Sequence, residues 1–92
     1  MELHLTGKLR RYKTAVVARC PELDVLSQGD DDADARRMLA EAVQIFLEET
    51  ARMGTLKSIL KEAHLPVPQE AEPVHVCLEF PEGERKAFTA IV

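Results

Sequence analysis

The amino-acid sequence predicts an α+β fold, in which a three- to four-stranded, mainly antiparallel sheet carries one long helix on a face. Two patterns indicate it. Apolar residues recur at spacings of three and four over residues 32–53, which is typical of a helix with one buried side. Apolar and polar residues alternate over residues 74–80, which is typical of a half-buried strand. The 92 residues are long enough for one domain, covering residues 1–92.

Three strands are expected before the helix. The first covers residues 3–9 and bends at Gly7, and the pair Arg10-Arg11 is expected to form the turn that follows. The second covers residues 12–20 and is apolar on both faces near its middle, which favours a central position in the sheet. The third covers residues 23–28. The order is therefore β-β-β-α-β, with a short second helix inserted before the last strand.

The long helix has recognisable ends. Asp31 is the expected N-cap, and Asp34 stands three residues later in the capping-box position. Gly54 is a suitable residue for the left-handed conformation that ends many helices. A short helix over residues 55–63 should follow, with Thr55 as its cap.

The remaining residues predict extended structure. Pro66, Pro68 and Pro73 indicate an extended linker before the alternating strand. Residues 81–84 have the composition of a turn. Residues 87–92 are short and apolar, so the two terminal segments could pair as a hairpin.

The bulk composition limits the possible functions. A net charge of −4 disfavours a general nucleic-acid surface. The N-terminus lacks the pattern of a signal peptide, and no apolar run is long enough to cross a membrane. Cys20 and Cys77 are expected to be buried free thiols, so a reducing cytoplasm is the expected location.

Few residues suggest chemistry. His4, His64 and His75 lack metal-ligand spacing to the cysteines or to one another. The acidic run over residues 30–34 lacks the spaced ligands of a calcium loop, and helix capping explains it better. We therefore predict no enzyme activity, no cofactor and no metal. A small basic patch has Tyr12 as its one aromatic residue, so direct nucleic-acid binding is not expected. Its basic residues are Arg10, Arg11, Lys13 and Arg19.

Short motifs between residues 12 and 64 resemble the HicB-like antitoxin family. They are Cys20-Pro21-Glu22-Leu23-Asp24, Ser27-Gln28-Gly29-Asp30, Ala35 and the run from Glu41-Ala42 to Phe46-Leu47-Glu48. Asp31 stands where the family typically has a capping threonine. The resemblance implies a partial RNase H-like fold. Many family members add a C-terminal DNA-binding domain, but the residues after 64 predict a proline-rich linker and strands, so a short form without that domain is expected. The resemblance implies no nuclease site, since the central strand carries no carboxylate.

The resemblance also implies a function. Family antitoxins of type II toxin–antitoxin systems cover and neutralise a small basic toxin, the HicA-type mRNA interferase. An acidic surface would suit such a partner. Its candidate residues here are Asp30, Asp31, Asp32, Asp34 and Glu41.

The alternative is a stand-alone homo-oligomeric adaptor, or a small-ligand-binding regulatory protein, with no toxin partner. It would be a dimer or a tetramer. The terminal strands would supply the oligomer interface by extending the sheet across a two-fold axis. Its candidate residues are Val74, Val76, Leu78, Phe88 and Ile91.

Overall fold

The computed structural model describes residues 1–69 and 72–92, and these residues form six strands and two helices. The α+β fold class is confirmed. In chain order the elements are β1 (Glu2–Thr6), β2 (Lys8–Arg11), β3 (Val16–Cys20), β4 (Val25–Gly29), α1 (Asp32–Met53), α2 (Leu56–Glu62), β5 (Pro73–Glu79) and β6 (Arg85–Ile91).

The strands are arranged in two linked three-stranded sheets. In one sheet β5 lies between β1, to which it is parallel, and β6, to which it is antiparallel. In the other, β3 lies between β2 and β4, and both pairings are antiparallel. Because β1 and β2 follow one another directly, the predicted first strand runs through both sheets. The expected sheet of three or four strands is thus divided at this strand.

Gly7 is the point where the chain passes from one sheet to the other. Its backbone N–H donates to the carbonyl of Glu79 at 2.7 Å, which continues the β1–β5 pairing by one residue. A Cβ atom at Gly7 would lie only 2.3 Å from Cε1 of Phe80, whose ring is buried. The bend predicted at this glycine therefore exists, and the missing side chain makes room for the Phe80 ring.

The first turn lies further along the chain than predicted. Arg10 and Arg11 belong to β2, where they pair with Val17 and Val16. The turn covers residues 12–15 and is closed by a hydrogen bond of 2.8 Å from the Tyr12 N–H to the Ala15 carbonyl. The prediction of a turn at Arg10-Arg11 is wrong, because β2 continues until its ladder with β3 ends.

The central position of the second predicted strand is confirmed, although β3 is shorter than residues 12–20. Its buried face carries Val16, Ala18 and Cys20. The chain then turns over residues 21–24, where Leu23 is buried and Asp24 has a positive φ of 56°. The third strand accordingly starts at Val25, two residues later than predicted.

Helix α1 has the predicted boundaries and the predicted ends. The Asp31 carboxylate accepts a hydrogen bond of 2.8 Å from the Asp34 N–H, so Asp31 is the N-cap. Gly54 ends the helix with a φ of 82°. The buried stripe of the helix packs on β3, β4 and β6. It consists of Ala35, Leu39, Val43, Leu47 and Thr50.

Helix α2 is shorter than predicted and lacks the predicted cap. Its residues Leu56 and Leu60 are buried, so α2 packs against the core through these two side chains. Within the described part of the chain, the Thr55 side chain accepts no capping hydrogen bond, and its backbone is already helical at φ −104° and ψ −9°. The Thr55 hydroxyl instead donates to the Thr50 carbonyl at 3.4 Å. A cap requires extended backbone, and the tight connection to α1 does not allow it.

The terminal hairpin is confirmed, and β5 pairs with β6 along its whole length. The turn is closed by a hydrogen bond of 2.8 Å from the Phe80 N–H to the Glu84 carbonyl. Of the predicted proline-rich linker, Glu70 and Ala71 lie outside the described residues. Neither helix in the described ranges is both long enough and apolar enough to cross a membrane.

Candidate functional site

The acidic residues at the start of α1 are largely used within the chain. The Asp31 side chain accepts the Asp34 N–H and so caps the helix. One carboxylate oxygen of Asp34 accepts the Asp30 N–H at 3.0 Å. In a capping box this oxygen would accept the backbone N–H of the N-cap residue, which is Asp31. Here it accepts the N–H of the preceding residue, Asp30, instead. These contacts fix the entry of the chain into α1.

Ion pairs occupy three of the five acids predicted to bind a partner. Arg11 donates from Nε and Nη2 to Asp32, at 3.0 and 2.6 Å, and so ties β2 to α1. Arg37 lies 2.6 Å from Asp34 and 3.2 Å from Glu41. Asp30 takes part in no ion pair among the described residues and is exposed. The surface predicted from the acidic run is therefore less negative than its sequence suggests.

These contacts lower the pKa of two of the acids. Hydrogen bonds from the Arg11 guanidinium hold the pKa of Asp32 below its usual range. The Asp30 N–H, and after it Arg37, lower the pKa of Asp34. Both carboxyl groups are therefore stabilised in their charged form by the fold.

Acid should consequently weaken the fold through these two groups. A carboxyl group whose pKa is lower in the folded state adds stability above its unfolded pKa, near 3.8 for aspartate. That stability disappears as the pH falls through the folded pKa. Urea unfolding between pH 7 and pH 2 should show a smaller acid-dependent loss for Asp32→Asn than for the wild type. The control is Asp24→Asn, since the Asp24 side chain is 84% exposed and lies 3.7 Å from Arg19. Identical acid profiles for wild type and Asp32→Asn would contradict the assignment.

The terminal strands do not present the predicted oligomer interface. Strand β5 is the central strand of its sheet, so it has no free edge. Its residues Val74, Val76 and Leu78 are at most 2% exposed and belong to the core of the chain. Phe88 is half-buried against that core, and only Ile91, at 64%, is widely exposed. The prediction that these five residues form an interface is wrong for the three on β5. Apolar and polar residues alternate along β5 as they would along an edge strand, but β5 lies at the centre of its sheet.

Strand β6 is an edge strand, and α1 covers part of that edge. The Gln44 amide donates to the Thr89 carbonyl at 3.1 Å. The Glu48 carboxylate accepts the Ile91 N–H at 3.0 Å. Two backbone groups that could bind another strand are thus bonded within the chain, which discourages sheet extension at this end.

Two residues of the basic patch, Arg10 and Arg19, lie on a mixed surface on the outer face of β2–β3–β4, whereas Arg11 pairs with Asp32 of α1. Tyr12 and Leu26 are 55% and 59% exposed there. The Arg10 guanidinium lies 5.6 Å from the centroid of the Tyr12 ring. A shallow groove of about 390 Å³ runs between these residues, Lys8, Val17 and Arg19. The sequence predicts the charges of this surface but not Leu26, which faces outward because side chains alternate along β4.

Glu22 lies in the turn before β4, and its side chain holds this turn against the end of β1. Its carboxylate accepts the Thr6 N–H at 3.1 Å and the Thr6 hydroxyl at 2.7 Å. Burial alone would raise the pKa of Glu22, but the hydrogen bonds from Thr6, from the Glu22 backbone N–H and from Cys20 together outweigh burial, and the net pKa is lowered. Glu22 is therefore charged and accepts hydrogen bonds from Thr6, the last residue of β1, at the point where the two sheets separate.

Replacing Glu22 with alanine should lower the free energy of unfolding by about 1–3 kcal/mol, because two partly buried donors of Thr6 lose their acceptor. Glu22→Gln keeps one acceptor oxygen and should cost less. Urea unfolding of both variants measures the difference. Equal losses in the two variants would show that the acceptor is not what matters.

The two cysteines differ in their surroundings. Cys20 is fully buried, as predicted, and burial raises the pKa of its thiol to about 12. Cys77 is only half-buried, so the prediction of a buried thiol is wrong for it. Both are free thiols. Cys77 lies on the outward face of β5, because the strand alternates and Val76 and Leu78 take the core face.

The three histidines lie in separate surroundings. His64 follows α2, with a φ of 58°. His75 lies 3.2 Å from the Thr89 hydroxyl, measured from Nδ1. His4 lies beside Cys77 and Glu79 across the β1–β5 pairing. This last group is not apparent from the sequence, because His4 lies 73 residues before Cys77 and 75 before Glu79, and only the parallel pairing of β1 with β5 brings it beside them.

These features define a small α+β domain with a charged, partly apolar surface. No family model, no curated protein and no solved structure matches the chain.

Proposed function

We propose that the chain is an antitoxin-like protein-binding module, which covers and neutralises a small basic toxin of the HicA-type mRNA interferase class. The observation that carries the proposal is the arrangement of the elements. With β1 and β2 counted as one strand bent at Gly7, three antiparallel strands precede α1, and β5 returns beside the first of them. This is the β-β-β-α-β order that the family resemblance implies.

Four residues of the resembling motifs support the proposal, because each of these four has a physical role in that arrangement. Cys20 is buried at the end of β3, and Leu23 is buried within the turn that follows. Glu22 binds both donors of Thr6. At Gly29 a Cβ atom would lie 2.4 Å from the Ala35 backbone nitrogen, so glycine lets α1 begin close to β4. These residues therefore hold the turn after β3 against β1 and let α1 approach β4.

Charge supports a basic partner. The chain has a net charge of −4. At the start of α1, Asp30 and Asp31 are exposed, and Arg11 and Arg37 pair with the acids that follow them. Exposed carboxylates of this kind increase the rate of encounter with a basic protein more than they increase the final affinity.

The test is co-expression with the small basic protein encoded beside this chain. We expect the two proteins to purify together, and we expect this chain to restore the growth of cells that the neighbour inhibits. If no such neighbour is encoded, or if it does not bind, the proposal fails.

A double variant tests the location of the binding surface. Asp30→Asn with Asp31→Asn removes two charges but keeps the helix cap, since asparagine caps as well as aspartate. We expect a severalfold slower association at low salt, with an unchanged melting temperature. Glu62→Gln, on the exposed side of α2, is the control and should leave the association rate unchanged. If the double variant and the control associated at equal rates, the toxin-binding surface would not be at the start of α1.

A groove between the helices and the C-terminus favours a second candidate function, a small-ligand-binding regulatory protein. The groove has a volume of about 450 Å³, which is in the range of small-molecule sites. Its described lining includes Ala51, Gly54, Leu56, Lys57, Pro68 and Val92. Screening metabolites for a rise in melting temperature, with light scattering for the oligomeric state, separates this candidate from the first.

A further inference from the structure

Three potential metal ligands meet on the outward face of the β1–β5–β6 sheet. The parallel register places His4 opposite Cys77 and Thr6 opposite Glu79. One ligand atom from each of His4, Cys77 and Glu79 lies within 4.8 Å of the other two. The Cys77 sulfur lies 3.9 Å from Oε1 of Glu79. Two strands far apart in sequence thus supply a nitrogen, a sulfur and an oxygen to one spot.

The spot is accessible to an ion from solvent. His4 and Glu79 are exposed and Cys77 is half-buried. The residue opposite Cys77 on β6 is Ala87, whose methyl group leaves the space beside the sulfur open. In the described part of the chain, none of the ion pairs includes Glu79. The Glu79 carboxylate accepts a hydrogen bond from the Cys77 thiol at 3.9 Å, and this bond is lost when both groups bind a cation.

We propose that His4, Cys77 and Glu79 bind one divalent cation of the zinc class. Imidazole, thiolate and carboxylate are the three ligand types that zinc uses in proteins. Magnesium and calcium prefer all-oxygen sites, and a thiolate selects against them. The remaining coordination position is left to water, as in zinc sites with three protein ligands.

The distances fit a site that closes around its ion. Ligand bonds of about 2.0–2.3 Å in a tetrahedron place neighbouring ligand atoms roughly 3.3–3.8 Å apart. The Cys77 sulfur and Oε1 of Glu79, 3.9 Å apart, are already close to this spacing. The pairs that include His4 lie within 4.8 Å, so they must shorten by at most about 1.5 Å. Side-chain rotation achieves this for exposed residues on a rigid pair of strands. On binding, the S–H bond of Cys77 breaks, a sulfur–metal bond forms and the proton passes to the buffer.

The second cysteine does not compete. Cys20 is fully buried and its raised thiol pKa keeps it protonated at neutral pH. Any thiolate–metal signal from the folded protein therefore belongs to Cys77. This makes a spectroscopic test with the intact chain unambiguous.

The experiment is a titration of the full, reduced chain with Co²⁺, followed by Zn²⁺. A phosphine reductant avoids competing thiols. We expect one Co²⁺ per chain, with a thiolate-to-cobalt charge-transfer band and tetrahedral visible bands that Zn²⁺ abolishes. Mg²⁺ should abolish neither.

Variants identify the ligands. His4→Ala, Cys77→Ser and Glu79→Gln should each weaken binding by more than about tenfold, and Cys77→Ser should also remove the charge-transfer band. The control is His64→Asn, a histidine outside the site whose positive φ asparagine tolerates. It should bind as the wild type does. Circular dichroism shows that each variant is folded.

Two results would overturn the proposal. One is a wild-type chain that gives no charge-transfer band with Co²⁺. The other is a Cys77→Ser variant that binds as tightly as His64→Asn. Neither result bears on the antitoxin-like function, which uses a different surface.

Discussion

Replacing Leu39 with alanine is expected to lower the free energy of unfolding by about 2–5 kcal/mol. Leu39 is 0% exposed and lies in the buried stripe of α1, between Ala35 and Val43. The substitution removes apolar contacts and leaves a cavity where the helix meets the strands. Urea unfolding followed by circular dichroism measures the loss. The loss should be among the largest for any single substitution, since the hydrophobic core of the described residues joins this helix to both sheets.

Ile45→Ala is the matched control for this prediction. Ile45 lies on the same helix but is 60% exposed. Its truncation should change the free energy of unfolding by less than about 0.5 kcal/mol. If both variants lost the same stability, the helix would be packed through a different face.

Gly29→Ala is expected to destabilise the protein by about 1–3 kcal/mol or more, through overpacking. A Cβ atom at Gly29 would lie 2.4 Å from the Ala35 nitrogen and 2.6 Å from the Asp34 carbonyl carbon. Both are backbone atoms in the first turn of α1, so the helix itself must move. The expected loss of stability therefore comes from the close approach of β4 to the first turn of α1. It should appear as a lower melting temperature.

The neighbouring substitution Gln28→Ala controls for the loss of strand propensity. Gln28 is exposed on the outer face of β4, and its truncation leaves the helix contact untouched. It should change stability by no more than about 0.5 kcal/mol. A melting temperature for Gly29→Ala equal to that of Gln28→Ala would mean that α1 does not begin against β4.

The helix was predictable because its signals are local. Its apolar stripe, the Asp31 cap and the Gly54 terminus all depend on residues within a few positions of one another. The hairpin of β5 and β6 was predictable for the same reason. The backbone conformation of Thr55 was not predictable, because it depends on how closely α2 follows α1, and this conformation prevents Thr55 from capping α2.

Non-local contacts explain what the sequence could not reveal. The parallel pairing of β1 with β5 joins segments about seventy residues apart, and it makes β5 a central strand. This pairing buries Val76, which was expected at an interface, and creates the group of His4, Cys77 and Glu79. The bond between Arg11 and Asp32 similarly depends on β2 lying beside α1. None of these contacts has a signature in residue spacing.

Native-state hydrogen exchange tests most directly whether α1 is packed on the sheets as one cooperative unit. The amides of Leu39, Val43 and Leu47 should open with the same free energy as that of Ala18 in β3, and this should equal the free energy of global unfolding. Helix amides that exchange through openings about 2 kcal/mol or more below those of β3 would mean that α1 detaches on its own. That result would contradict the fold described here and remove the main support for the proposed function.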